Sequence, residues 1–195
     1  FTIQIATEDC LGCGLCAKTC PMVKAKPQDE HRPLQMKSLM DVREAGRECW
    51  SYFLDLPEAD PTLLNTSTVK DVQLKRPLFE FSGACAGCGE TPYLKLLSQL
   101  FGDRAIIGNA TGCSSIYGGN LPTTPWTYGD DGRGPAWSNS LFEDAAEFAF
   151  GFRLTIDKHA EYAAELLKRL EPVVGAEDVA AILEAPQKSD SDIAA

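Results

Sequence analysis

Basic residues are scarce in this chain. Eighteen lysines and arginines face 28 aspartates and glutamates, a formal net charge of −10 over 195 residues, and a field of that sign repels nucleic acid and anionic lipid alike. Long apolar runs are missing too: no stretch of 18 consecutive apolar residues exists, so no segment reads as a membrane span. The opening residues, Phe1-Thr-Ile-Gln-Ile, carry neither an initiator methionine nor a signal peptide, and the expectation is a piece of something longer. Histidine is nearly absent. Of the two present, His31 falls in a polar stretch and His159 in a long helical pattern, where solvated or core-edge roles are expected rather than metal ligation. There is no internal repeat. A 44% hydrophobic composition is enough for a core, in one ordinary domain or two small ones.

Cysteine, by contrast, is abundant and patterned. Four of the eight cysteines lie within eleven residues, Cys10-Leu-Gly-Cys13-Gly-Leu-Cys16-Ala-Lys-Thr-Cys20, and Pro21 follows. This CxxCxxCxxxCP run matches the cluster loop of bacterial ferredoxins. One tight loop, with Gly12 and Gly14 permitting its turns, can present three sulfurs to one cubane, while the fourth cysteine ligates the partner cluster. Zinc sites favour two separated CxxC pairs, and disulfide frameworks spread their cysteines along a small secreted domain. Neither fits. Cys10, Cys13 and Cys16 are therefore read as ligands of one 4Fe-4S cluster, with their thiols converged, and Cys20 as a ligand of another. Cysteines grouped this way without an export signal favour a reducing, cytoplasmic and anaerobic setting.

Along the rest of the chain, Phe1–Ile5 reads as a strand entering the loop, and a brief helix around Cys16–Cys20 is ended with the help of Pro21. Residues 34–56 place Met36, Met40, Ala45, Cys49, Phe53 and Leu56 at helical steps, closed by Pro57. Residues 57–78 read as a polar, proline-punctuated connection. Beyond it, Thr91-Pro92 supplies an N-cap and first-turn proline for a helix faced by Leu94, Leu97 and Phe101 and ended by Gly102. Arg104–Gly108 is a short apolar strand, so strand, loop and helix alternate as in an α/β sheet. Residues 117–139 lack periodicity. Ser140-Leu-Phe-Glu143 is a capping box opening a long helix toward Pro172, and residues 186–195 read as a disordered tail.

A second constellation lies in Gly83-Ala-Cys85-Ala-Gly-Cys88-Gly-Glu90-Thr-Pro92. Alone, its CxxC could be a redox dithiol, half a zinc site or a cluster loop. Cys113, after the predicted strand, adds a third thiol from the sheet edge where ligand loops of α/β folds gather. Cys49, beside Trp50 and Phe53, is read as a buried structural thiol outside this set. Gly129-Asp-Asp-Gly132 reads as a turn.

Phe79–Tyr93, then Ala110-Thr-Gly-Cys-Ser-Ser-Ile-Tyr-Gly-Gly119, then Gly132–Asp144 together resemble the pyruvate:ferredoxin (flavodoxin) oxidoreductases, in the family's order. The resemblance covers about residues 1–170. It implies an α+β ferredoxin-like half-domain at 1–25, a connector at 26–78, and at 79–185 the start of an α/β thiamine diphosphate-binding domain, with the tail at 186–195. It also implies that Cys85, Cys88 and Cys113 bind the thiamine-proximal 4Fe-4S cluster and that Glu90 and Cys113 contact thiamine diphosphate. The family's magnesium and pyrophosphate motif has no counterpart here, so Mg2+ ligands lie outside the chain, as do the first ferredoxin cysteine run and the proximal cluster's fourth ligand. The implied reaction is oxidative decarboxylation of pyruvate with coenzyme A, electrons passing to ferredoxin or flavodoxin. The enzyme would be a homodimer completed by its remaining domains, and this piece alone would be inactive. Two other readings stay open: a related 2-oxoacid:ferredoxin oxidoreductase, or a non-catalytic polyferredoxin, which leaves Glu90 and the Cys113 loop unexplained.

Overall fold

The computed structural model describes residues 3–25, 33–60, 63–119, 123–188 and 192. It contains nine helices and two strands among those residues, in an α/β arrangement whose sheet pairs β1, Ile106–Ala110, with β2, Ala136–Ser140. The pairing is parallel and in step, with the Ala136 amide donating to the Ala105 carbonyl at 3.0 Å. Contacts divide the chain into one unit of residues 1–107 and 111–139 and a second of 108–110 and 140–195. No helix among the described residues is long and apolar enough to cross a membrane.

In the first unit, α1, Leu15–Thr19, ends at Cys20, and Pro21 opens α2, Pro21–Ala25. Proline acts here as both stop and start, since its missing N–H is tolerated in a first turn. Of the strand expected at Phe1–Ile5, the described part is not formed: Ile3–Ala6 has no regular structure and no neighbouring strand among the described residues to satisfy its backbone, and Phe1 and Thr2 lie outside those residues. What holds this segment is α3, Leu39–Leu54. Glu8 accepts from Arg43 Nε at 2.7 Å and from Arg47 Nη2 at 2.7 Å, and these guanidiniums hold its carboxyl down to about 2. Thr7 presses so closely on Gly46 that any Cβ there would collide with its side chain.

The core lies further on. The connector expected at 57–78 forms α4, Val69–Val72, capped by the Thr68 hydroxyl, and Val72 is only 1% exposed. Leu78 and Phe79 are buried beside it in sequence. Helix α5 runs Thr91–Phe101 and ends at Gly102 as expected. Its buried face, however, is polar: Ser98 and Gln99 are 2% and 3% exposed, whereas Leu97 and Phe101 are exposed. The Leu78 amide donates to Ser98 Oγ at 3.0 Å, and Gln99 Nε2 donates to the Lys75 carbonyl at 2.8 Å. These two side chains satisfy backbone groups that the irregular chain before Phe79 cannot pair for itself.

In the second unit, α7, Ala145–Arg169, is followed by α8, Glu171–Val174, and α9, Ala176–Glu184. The capping box is not realised. Ser140 ends β2, and its hydroxyl bonds the Asn109 carbonyl at 3.1 Å, while a 3-10 turn at Phe142–Asp144 precedes α7. Strand pairing satisfies Ser140 before a helix cap can recruit it. Phe148 and Phe152 stack edge to face at 4.8 Å, and Gly108 approaches Ala149 closely enough that an added Cβ would lie 3.4 Å away. The tail expected to be disordered falls mostly outside the described residues, as does His31.

Ser98→Ala should strand the buried Leu78 amide, a local cost of about 1–3 kcal/mol. Amide exchange at Leu78 should accelerate accordingly, and an unchanged rate would show that another acceptor takes over.

Candidate functional site

The site is assembled from three short pieces of the first unit. The Cys85–Cys88 piece is a tight turn: the Cys88 amide donates to the Cys85 carbonyl at 2.9 Å, and Gly87 takes φ +74° at its third position. That combination of bond and angle describes a type II turn and draws the two cysteines to one end of it. The Thr91 hydroxyl donates to the Cys88 carbonyl at 3.0 Å, tying the turn to α5. Thr91 thus sits inside the helix, and the N-cap is Glu90, whose side chain makes no capping bond.

The second piece is α6, Cys113–Gly119, which starts directly after β1 and an intervening Thr111-Gly112. Cys113 is its first residue and Tyr117 its fifth, and residues four apart share one helical face. Ser115 Oγ pairs with Asn139 Oδ1 at 2.8 Å, joining the start of α6 to the end of β2. That strand was not expected from the aperiodic, glycine- and proline-rich sequence around it. The third piece is the backbone bridge between Phe79 and Trp126. Their rings lie 4.6 Å apart, and Tyr117 meets Phe79 edge-on at 6.1 Å. Gly119 makes room for the Trp137 ring of β2, with which a Cβ there would collide.

Tyr117 is the residue that sequence reasoning passed over. It is 3% exposed, and its buried hydroxyl has no hydrogen-bond partner. An orphaned buried hydroxyl costs about 1–3 kcal/mol, so its presence asks for an explanation. Burial first, then the adjacent Glu90 carboxylate, and then Cys88 and Cys113 push its ionisation well above the ordinary tyrosine range. The i, i+4 step from Cys113 to Tyr117 was the available signal. Glu80, half-buried, is also held above the usual carboxylate range, chiefly by burial, with Lys95 and Arg76 opposing.

The first cysteine loop is built by its glycines. Gly12 and Gly14 take φ +67° and +72°, as the spacing requires. Cys10, Cys13 and Cys16 are exposed and unpaired, and Cys20, half-exposed, caps α1. A cavity of about 470 Å³ opens beside Cys10 and Cys16, walled by Ile5, Leu34, Leu39 and Val42. Among the described residues no three His, Cys, Asp or Glu side chains are gathered as a metal-binding group. The convergence expected of Cys10, Cys13 and Cys16 is not found among them. The donor set nonetheless suits iron-sulfur ligation: all eight thiols are free, and four of them stand at cluster-loop spacing. Cys49 is exposed on α3, contrary to the buried role expected for it. Trp50 stacks on Phe53 at 5.3 Å and meets Phe81 edge-on at 6.1 Å, and neither contact covers Cys49.

The two cysteine loops touch. Leu15, between Cys13 and Cys16, packs against Gly87, between Cys85 and Cys88, so closely that any Cβ at 87 would collide with the leucine. Gly87→Ala should disturb the turn twice, through the collision and through the positive φ. Faster alkylation of Cys85 and Cys88 should report it, and Leu15→Ala in the same background should reverse only part of the change. Full reversal would mean that the backbone angle contributes nothing.

No protein-family model matches the chain. Curated relatives do. It is 60% identical over 193 residues to the pyruvate-flavodoxin oxidoreductase of Nostoc sp., covering 99% of this chain and 16% of that protein. It is 51% identical over 182 residues to the probable pyruvate-flavodoxin oxidoreductase of Escherichia coli, covering 93% and 15%. With the pyruvate:ferredoxin oxidoreductase of Moorella thermoacetica, identity is 50% over 178 residues, covering 90% and 14%. The chain spans about one sixth of the length of these proteins, and it belongs to the pyruvate-flavodoxin oxidoreductase family as a segment of such an enzyme.

Proposed function

We propose that this chain supplies the junction between cofactor chemistry and electron transfer in an enzyme that oxidatively decarboxylates pyruvate with coenzyme A to acetyl-CoA and CO2. Ferredoxin or flavodoxin would accept the electrons. The observation that carries this reading is similarity over 99% of the chain to a pyruvate-flavodoxin oxidoreductase, together with cysteines at cluster-loop spacing.

Within that reading, Cys10, Cys13 and Cys16 hold one 4Fe-4S cluster and Cys20 serves its partner. Cys85, Cys88 and Cys113 hold the cluster nearest thiamine diphosphate, and Glu90 and Cys113 contact that cofactor. The bound groups supply the electron sink and the one-electron carriers that no side chain provides. The chain's own work is placement. The Cys85–Cys88 turn and the first residue of α6 present these cysteines within one unit, and the ring packing of Phe79, Tyr117 and Trp126 joins α6 to the segment that leads into the turn. Contact between Leu15 and Gly87 keeps the two ligand loops adjacent, which shortens the gap an electron crosses.

Residues 1–25 are assigned to a ferredoxin-like half-domain and residues 79–185 to the start of a thiamine diphosphate-binding domain. The magnesium and diphosphate ligands, and the other domains, come from elsewhere in a dimeric, cytoplasmic enzyme. In the full-length enzyme, Cys113→Ala should abolish the reduced paramagnetic signal of one cluster and most coenzyme A-dependent turnover while sparing the other two clusters. Three intact clusters with normal turnover would remove Cys113 from the ligand set. The isolated chain, reconstituted anaerobically with magnesium, thiamine diphosphate, pyruvate and coenzyme A, should reduce no viologen dye. Pyruvate-dependent reduction by it would show that the anchoring groups are already present.

A further inference from the structure

We propose that Asn139 is a positioning residue for Cys113, its carboxamide holding both ends of the turn that carries the thiol and so setting the direction from which the sulfur meets a bound cluster. The proposal rests on the reading that Cys113 ligates the thiamine-proximal cluster. Cys113 stands between the end of β1 and the body of α6, in a stretch closed on itself. The Ser115 amide donates to the Gly112 carbonyl at 3.1 Å, and the Gly112 amide donates to Ser115 Oγ at 3.1 Å. The second bond is the return half of a capping box, with serine in place of glutamate. Asn139 fastens this turn from outside. Its Oδ1 accepts from Ser115 Oγ at 2.8 Å and its Nδ2 donates to Thr111 Oγ1 at 3.5 Å, so one side chain reaches the residues two before and two after Cys113.

The strand that carries Asn139 is itself fixed against α6. Trp137 and Asn139 stand two residues apart on β2 and share a face, and the Trp137 ring lies so close to Gly119 that a Cβ there would collide with it. Trp137 therefore locates the last residue of α6 and Asn139 its first turn, from one face of one strand. Cys113 is exposed, so the backbone of the turn, rather than packing around the sulfur, sets its direction. Asn139 acts through Thr111 and Ser115.

The test uses the full-length enzyme with Asn139→Ala, Ser115→Ala, the double variant and Cys113→Ala. Anaerobic iron release to a chelator is followed cluster by cluster through the paramagnetic signals, and the cluster potentials by redox titration. Asn139→Ala should retain three clusters but release the iron of the proximal one about three- to tenfold faster, the scale of one net hydrogen bond, and should shift the potential of that cluster alone. Ser115→Ala should act on the same cluster, and the double variant should release iron no faster than the faster single variant, because both remove one shared bond. Additive effects of the two would overturn the proposal. Unchanged release and potential in Asn139→Ala, with one cluster lost in Cys113→Ala, overturns the role of Asn139 and leaves Cys113 in the ligand set. Three clusters retained in Cys113→Ala overturns the ligand reading and this proposal with it. Faster release from all three clusters in Asn139→Ala would make the residue a general packing element and overturn the proposal as well.

Discussion

The packing of Phe79 against Trp126 is the contact on which the cysteine geometry depends. It is a single backbone bridge reinforced by rings 4.6 Å apart, and it joins two parts of the chain that share no regular secondary structure. On one side, six residues lead from Phe79 to Cys85. On the other, Tyr117 leans on Phe79 from a helix whose first residue is Cys113. Aromatic pairs combine large buried area with a preferred geometry, so this small cluster does what a larger sheet would do elsewhere. It fixes the direction from which each thiol-bearing segment departs.

The sequence was most readable where one residue type has one structural use. Gly12 and Gly14 adopt positive φ, Gly102 ends α5, and Pro21 interrupts the helical run. Each follows from backbone sterics that hold in any surroundings. The long helix toward Pro172 was also visible, because its periodicity extends over many turns.

What stayed hidden depended on partners distant in sequence. Ser98 and Gln99 look like surface residues of α5, and only the unpaired backbone around Leu78 gives a reason to bury them. Strand β2 has a sequence, Ala-Trp-Ser-Asn-Ser, without alternation, and exists because β1 offers it a ladder. Ser140 satisfied every local rule for a helix cap and was claimed by the sheet. Cys49 was misplaced for the opposite reason: its aromatic neighbours suggest a core, yet α3 has no buried residue. Tyr117 combined both difficulties, as an ordinary aromatic whose burial against Phe79 appears only in the fold.

The close approach of Leu15 to Gly87 makes the two cysteine loops a matched pair rather than independent inserts. Each loop contributes the shape that the other requires: a branched side chain on one, the absence of any side chain on the other. Recombination between relatives that divided the chain between these loops would have to preserve both halves of that fit. The natural unit of exchange therefore runs from the first cysteine loop through the second, even though a module boundary drawn from cluster motifs alone would separate them.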